Sequence, residues 1–155
     1  MFSQTTEYAL RAMAWLALSP DELVPTTTLA EKTKVPTHYL SKVLQQLAAA
    51  DLITGRRGVR GGYRLARPAS QITMLNVIRA VTTVERIKTC PLGLANHGPN
   101  LCPLHRQVDR MAQTIIERYD GVTLQSLIED PESNKPLCDR ETTAKLTVSA
   151  PGRRA

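Results

Sequence analysis

The sequence predicts a mainly α-helical fold with a small β-hairpin wing: a winged helix-turn-helix head followed by a long C-terminal dimerisation helix. Three observations predict it. Apolar residues recur at helical spacing in successive segments punctuated by Pro and Gly. A Gly- and Arg-rich stretch between two strand-like runs follows the third of those segments. The chain also carries a formal charge of +6 with a pI near 9.5, the balance of a protein with a polyanionic partner.

The first helix is expected from about Ser3 to Leu18, apolar on nearly every side and closed by Pro20, the pattern of a helix buried between layers. Thr27 or Thr28 can cap a short second helix around Leu29 to Thr33. After Val35 and Pro36 a third helix runs from Thr37 to about Ala50. Its Leu40, Val43, Leu44 and Leu47 follow the i, i+3, i+4, i+7 spacing of a buried face. The other face carries His38, Ser41, Lys42 and Gln45 and no acid.

Two strands, about Leu52–Arg56 and Gly62–Ala66, are joined by a tip in which Gly58, Gly61 and Gly62 supply positive-φ conformations. A short helix, Met74 to Val81, follows Thr73 as its cap. The segment from Thr82 to Leu101 reads as an irregular loop. Pro103 then opens a helix to about Tyr119, stopped at Gly121, and Leu104, Val108, Met111 and Ile115 make a heptad-like stripe suited to a partner subunit. Thr123 to Glu129 adds a further turn or two. The expected organisation is a DNA-binding head at 1–82, a Cys/His loop at 83–102, a dimerisation region at 103–129 and a disordered tail at 130–155.

Composition narrows the function. With 42% hydrophobic and 4% aromatic residues, the core must be aliphatic. Three cysteines, Cys90, Cys102 and Cys138, make no even disulfide framework and fit a reducing compartment. The apolar run from Tyr8 to Leu18 is interrupted by Arg11 and is far shorter than the roughly 20 residues of a membrane span. A cytoplasmic protein without a membrane partner is expected.

A helix, a short helix, a turn, a third helix and a basic hairpin is the order of a winged helix-turn-helix, whose third helix enters the major groove. Its candidate contacts are Thr37, His38, Tyr39, Ser41, Lys42 and Gln45; Gln can address adenine, while the others serve base edges or phosphates. Of the 20 Lys and Arg, five (Arg56, Arg57, Arg60, Arg64 and Arg67) fall between Gly55 and Pro68, with no acid among them. Arg56, Arg57, Arg60 and Tyr63 are the wing candidates, able to reach a minor groove or track phosphates. GVRGGY lacks the Lys-Ser/Thr and following helix of a phosphate-binding loop. The expected partners are operator DNA and a second copy of the chain, with no small-molecule substrate.

The segments TTEYALRAMAWLA, VPTHYLSKVLQQLAAADLITGRRGVRGGYRLARP and ITMLNVIRAV resemble the IscR/NsrR (Rrf-two) family of bacterial regulators over roughly residues 1–120. The resemblance implies a homodimer with a crossed dimerisation helix, binding a partly palindromic operator, usually as a repressor. It also implies that many relatives sense iron–sulfur status, nitric oxide or redox state through a cluster on the loop before that helix.

That loop reads TCPLGLANHGPNLCPLH, spacing Cys90, His97, Cys102 and His105 as C-x6-H-x4-C-x2-H. Cys90 and Cys102 match the outer two of the relatives' three cysteines, and His105 a further ligand of some members. The middle cysteine is absent, with Asn96 and His97 in its place. Some relatives recruit an acidic residue from the partner's first helix, where Glu7 stands here. The resemblance thus implies a [2Fe–2S] cluster on Cys90, Cys102 and His105, with His97 or Glu7 as fourth ligand; a two-iron cluster can accept His for Cys. Alternatively, two Cys and two His make a tetrahedral zinc set, at a spacing unlike standard fingers. A metal-free thiol switch between Cys90 and Cys102 is the third reading. Cys138 is a bystander in the tail. A thiol–imidazole enzyme is the remote alternative, with no nucleophile-bearing motif to support it; the expectation is a regulator, not an enzyme.

Overall fold

The computed structural model describes residues 3–97, 100–131 and 135–137. Its elements run α1 (Gln4–Leu18), α2 (Thr26–Thr33), α3 (Thr37–Ala49), β1 (Ile53–Arg56), β2 (Gly62–Leu65), a 3-10 turn (Ala69–Gln71), α4 (Met74–Val81), α5 (Pro103–Asp120) and α6 (Leu124–Ile128). The architecture is the expected mainly helical one with a two-stranded antiparallel wing. The expected tail lies mostly outside the described residues, Cys138 with it.

Ser3 caps α1, its hydroxyl accepting the Thr6 amide at 3.2 Å. Ala9, Ala12, Met13, Leu16 and Ala17 are buried, and α1 packs on α2, α3, α4, α6 and β2. Its small residues let those elements approach closely, which accounts for an apolar pattern on so many sides. The α3 face of Leu40, Val43, Leu44 and Leu47 is buried as the spacing predicts. With Leu29, Ile72, Leu75, Ile78 and Leu124 it builds an aliphatic core. Truncating Leu40 or Leu44 to Ala would cost about 2–5 kcal/mol.

Helix α2 starts earlier than its apolar spacing suggests. It begins at Thr26, not near Leu29, and its N-cap is Pro25, which offers no side-chain hydrogen bond. Proline's fixed φ suits the entry to a helix, so the threonines expected to cap α2 lie inside its first turn. The turn to α3 passes through Lys34 in the left-handed region, at φ 56°.

The wing also departs from expectation. Gly58 has the expected positive φ of 108°, but Gly61 and Gly62 do not. Their smallness serves close approach instead. A Cβ on Gly62 would lie 2.5 Å from the Val24 carbonyl, and one on Gly61 2.2 Å from the Arg56 oxygen. Val24 and Tyr63 exchange both backbone hydrogen bonds at 2.9 Å, stitching the lead-in of α2 to β2. The two strands pair Gly55 with Tyr63, whose ring covers the glycine.

At the far side, Thr73 and Asn76 form a reciprocal capping box that opens α4. A bridge between Thr73 and Thr123 ties this start to α6. Among the described residues no helix is long and apolar enough to cross a membrane.

Candidate nucleic-acid interface and Cys/His loop

Burying Leu40, Val43, Leu44 and Leu47 leaves the opposite face of α3 to solvent. Thr37, His38, Tyr39, Lys42 and Gln45 are exposed. Ser41 is half-buried and donates to the Thr37 carbonyl at 3.0 Å, keeping its oxygen able to accept. Tyr39, 49% exposed, is braced rather than free. Its ring lies 4.2 Å from that of His38 and 6.4 Å from that of Tyr8 on α1. The aromatic contacts fix the start of α3 against α1, where side chains of a major-groove helix reach bases.

On the wing, Arg56, Arg57, Arg60 and Arg64 are exposed, and Tyr63 is half-buried. None of these arginines, nor Lys42, enters an ion pair among the described residues. An uncompensated cationic face of this kind neutralises phosphates and releases counterions on binding. Sequence reasoning missed one part of the surface. The wing and the start of α2 enclose a groove of about 590 Å³, lined by Pro25, Thr26, Thr27, Arg56, Arg57 and Gly62. Pro25 gives the first turn of α2 no side-chain cap, and that turn and two wing arginines line one concavity. Such a groove suits a backbone phosphate oxygen. The sequence signal was Pro25 directly before three threonines, legible only once the helix start was placed correctly.

The loop before α5 gathers its cysteines and histidines in two pairs. Cys90, buried, has its Sγ 3.7 Å from His97 Nδ1. Cys102 stands at the N-cap position of α5 without a side-chain capping bond, and its Sγ lies 3.4 Å from Nδ1 of His105 in the first turn. Glu7 is engaged elsewhere, accepting from Arg11 Nε at 3.0 Å one turn along α1. Thiolates and imidazoles are suitable donors for a cluster or for zinc. As placed, however, each cysteine faces its own histidine, and no three Cys, His or carboxylate groups converge among the described residues. The placed donors do not fit a cluster held by one chain.

The loop is fastened to α5 by a further pair that the sequence did not signal. Arg86 donates from Nε and Nη2 to the two oxygens of Asp109, both at 2.7 Å. The Ile87 amide donates to Asp109 Oδ1 at 2.8 Å. The forked hydrogen bonds from Arg86 hold the Asp109 carboxyl below the usual aspartate range; burial opposes this and the Ile87 amide supports it. The same bonds raise the Arg86 guanidinium above its ordinary value.

Comparison with known proteins agrees with the architecture. A family model described as Rrf2, iron-dependent transcriptional regulator, matches residues 2–130. A protein of Aquifex aeolicus (strain VF5) named as an HTH-type transcriptional regulator is 30% identical over 137 residues, 86% of this chain and 95% of that protein. Staphylococcus aureus CymR is 28% identical with a TM-score of 0.65, covering 84% of this chain and 100% of its own. Its oxidized form, also solved, aligns at 27% identity and a TM-score of 0.65 over 86% of this chain and 99% of its own. IscR of T. potens, 24% identical with a TM-score of 0.68 over 84% of this chain and 87% of its own, shares the fold.

Proposed function

Because this chain belongs to the Rrf2 family of transcriptional regulators, we propose that it acts as a homodimeric repressor that reads a partly palindromic operator with α3 and the wing. The observation that carries this reading is the exposed, acid-free surface of Lys42, Gln45, Arg56, Arg57 and Arg60, unpaired among the described residues. Thr37, His38, Tyr39, Ser41 and Tyr63 complete it. Helix α3 supplies groups for base edges, and the arginines anchor phosphates or a minor groove. The Leu104, Val108 and Met111 stripe on α5, 67%, 49% and 62% exposed, supplies the dimerisation surface. Two copies joined there would present two recognition helices to two half-sites, a spacing set by the dimer.

The Cys/His loop is the regulatory site. Of the chemistries its donors admit, separate pairing of Cys90 with His97 and Cys102 with His105 favours reversible thiol oxidation over a [2Fe–2S] cluster or zinc. A relative solved in an oxidized form supports the same direction. Operator binding then changes with the oxidation state of the loop, as a ligand-biased two-state equilibrium.

Anaerobic purification with an absorbance spectrum and iron, sulfide and zinc quantitation tests this chemistry. Colourless protein with substoichiometric metal is expected. Visible charge-transfer bands with stoichiometric iron and sulfide, lost in Cys90→Ala, would replace the thiol reading with a cluster. Colourless protein holding one zinc per chain would replace it with a structural site.

A further inference from the structure

The path from α4 to the Cys/His loop is pinned at a single carboxylate. Asp109 is the buried residue of α5, 8% exposed, and it accepts the two Arg86 bonds and the Ile87 amide together. A planar guanidinium and a carboxylate in forked register fix each other's orientation, which a single-point ion pair does not. The main-chain bond from Ile87 adds what a surface salt bridge lacks: it sets the backbone, not merely two side-chain tips.

The consequence lies three residues on. Cys90 follows Ile87 by a stretch of chain that spans at most about 10 Å. Cys102 precedes Asp109 by seven helical residues, also about 10 Å along the axis. Pinning Ile87 to Asp109 therefore limits how far Cys90 can stray from α5. Cys90 is correspondingly buried, 8% exposed, although long stretches of its own loop are open to solvent. Val108, next to Asp109 in sequence and about 100° round the helix, belongs to the exposed apolar stripe. One helix thus holds the loop on one flank and offers the dimer surface on another.

We infer that Arg86 and Asp109 are positioning residues of the Cys/His loop: their forked pair holds Cys90 in its buried place and couples chemical change at the loop to α5. The first half stands on the geometry alone. The second rests on the reading above that the loop is regulatory.

Maleimide labelling of the reduced full chain, with each cysteine resolved by peptide mass mapping, tests the pin. Asp109→Ala and Arg86→Ala should each raise the Cys90 rate at least ten-fold and leave Cys102 within two-fold. Arg86→Lys, which keeps the charge and loses the fork, should fall between. Because Arg86 is 42% exposed at its side chain, its variants keep the test open if Asp109→Ala fails to fold. A Cys90 rate unchanged in a folded Arg86→Ala would overturn the pin.

Coupling is read separately, as the change in operator affinity after treatment with hydrogen peroxide, which converts a thiol to a sulfenic acid and water. The change should be present in the wild type and lost in Arg86→Ala. Retention of the full change would overturn the coupling. A wild type that does not respond would overturn the regulatory reading of the loop, while the labelling ratio still decides the pin.

Discussion

Asp109 is the residue at which chemistry and structure meet most closely. Its carboxyl is held below the ordinary aspartate range chiefly by the Arg86 fork. A group whose folded value is depressed contributes stability that is complete above the unfolded value and is lost as pH falls through the folded one. The Ile87 amide should therefore stay protected from hydrogen exchange down through the usual aspartate range and lose protection only below it. Loss of protection at a pH above that range would show that the pair does not hold the loop. Gly62 makes a second residue-scale case. The sequence points to glycine for a positive φ, whereas the structure requires it because Val24 lies where a Cβ would go. Gly62→Ala should cost roughly 2 kcal/mol by overpacking against backbone, measured as a lower midpoint in denaturant; an unchanged midpoint would mean that the wing can step away from α2. Pattern alone cannot tell these two uses of glycine apart, since both appear as Gly in a hairpin.

Elements were legible where one face is buried and one is not. The four buried positions of α3 and the capped start of α4 follow from spacing and from Thr73. The start of α2 was not, because threonines that look like caps sit behind a proline that fixes the entry. The bridge from Val24 to Tyr63 was invisible too, since pairing of one residue leaves no alternation to read. Helix α5 is the element whose pattern was legible and whose partner is still to be met. Its Leu104, Val108 and Met111 lie open, and an apolar stripe of that length is ordinarily covered. Val108→Glu combined with Met111→Glu should convert the dimer to monomer at micromolar concentration in sedimentation velocity, leaving the helical signal of the head unchanged. A dimer of undiminished stability would place the subunit contact elsewhere.

Across the whole molecule, the fold of the first 82 residues was the more legible part because helical spacing and turn residues, which one sequence displays, set its elements. The loop was less so. Four ligand-type residues within sixteen positions pointed to a site, but the fastening of their loop at Arg86 and Asp109 is a contact between residues 23 apart, which no local pattern displays. The same contact joins the loop to α5, the helix proposed above to join two copies of the chain. The decisive quantity is therefore operator binding. Duplexes selected by the full chain from a randomised pool should share two half-sites about one helical turn apart, and anisotropy titrations on them should show affinity falling steeply with salt. Arg57→Ala and Arg60→Ala should each weaken binding and reduce the salt slope by about 1. No enriched sequence, or affinity and salt slope unchanged in both variants, would contradict a DNA-reading surface built from α3 and the wing.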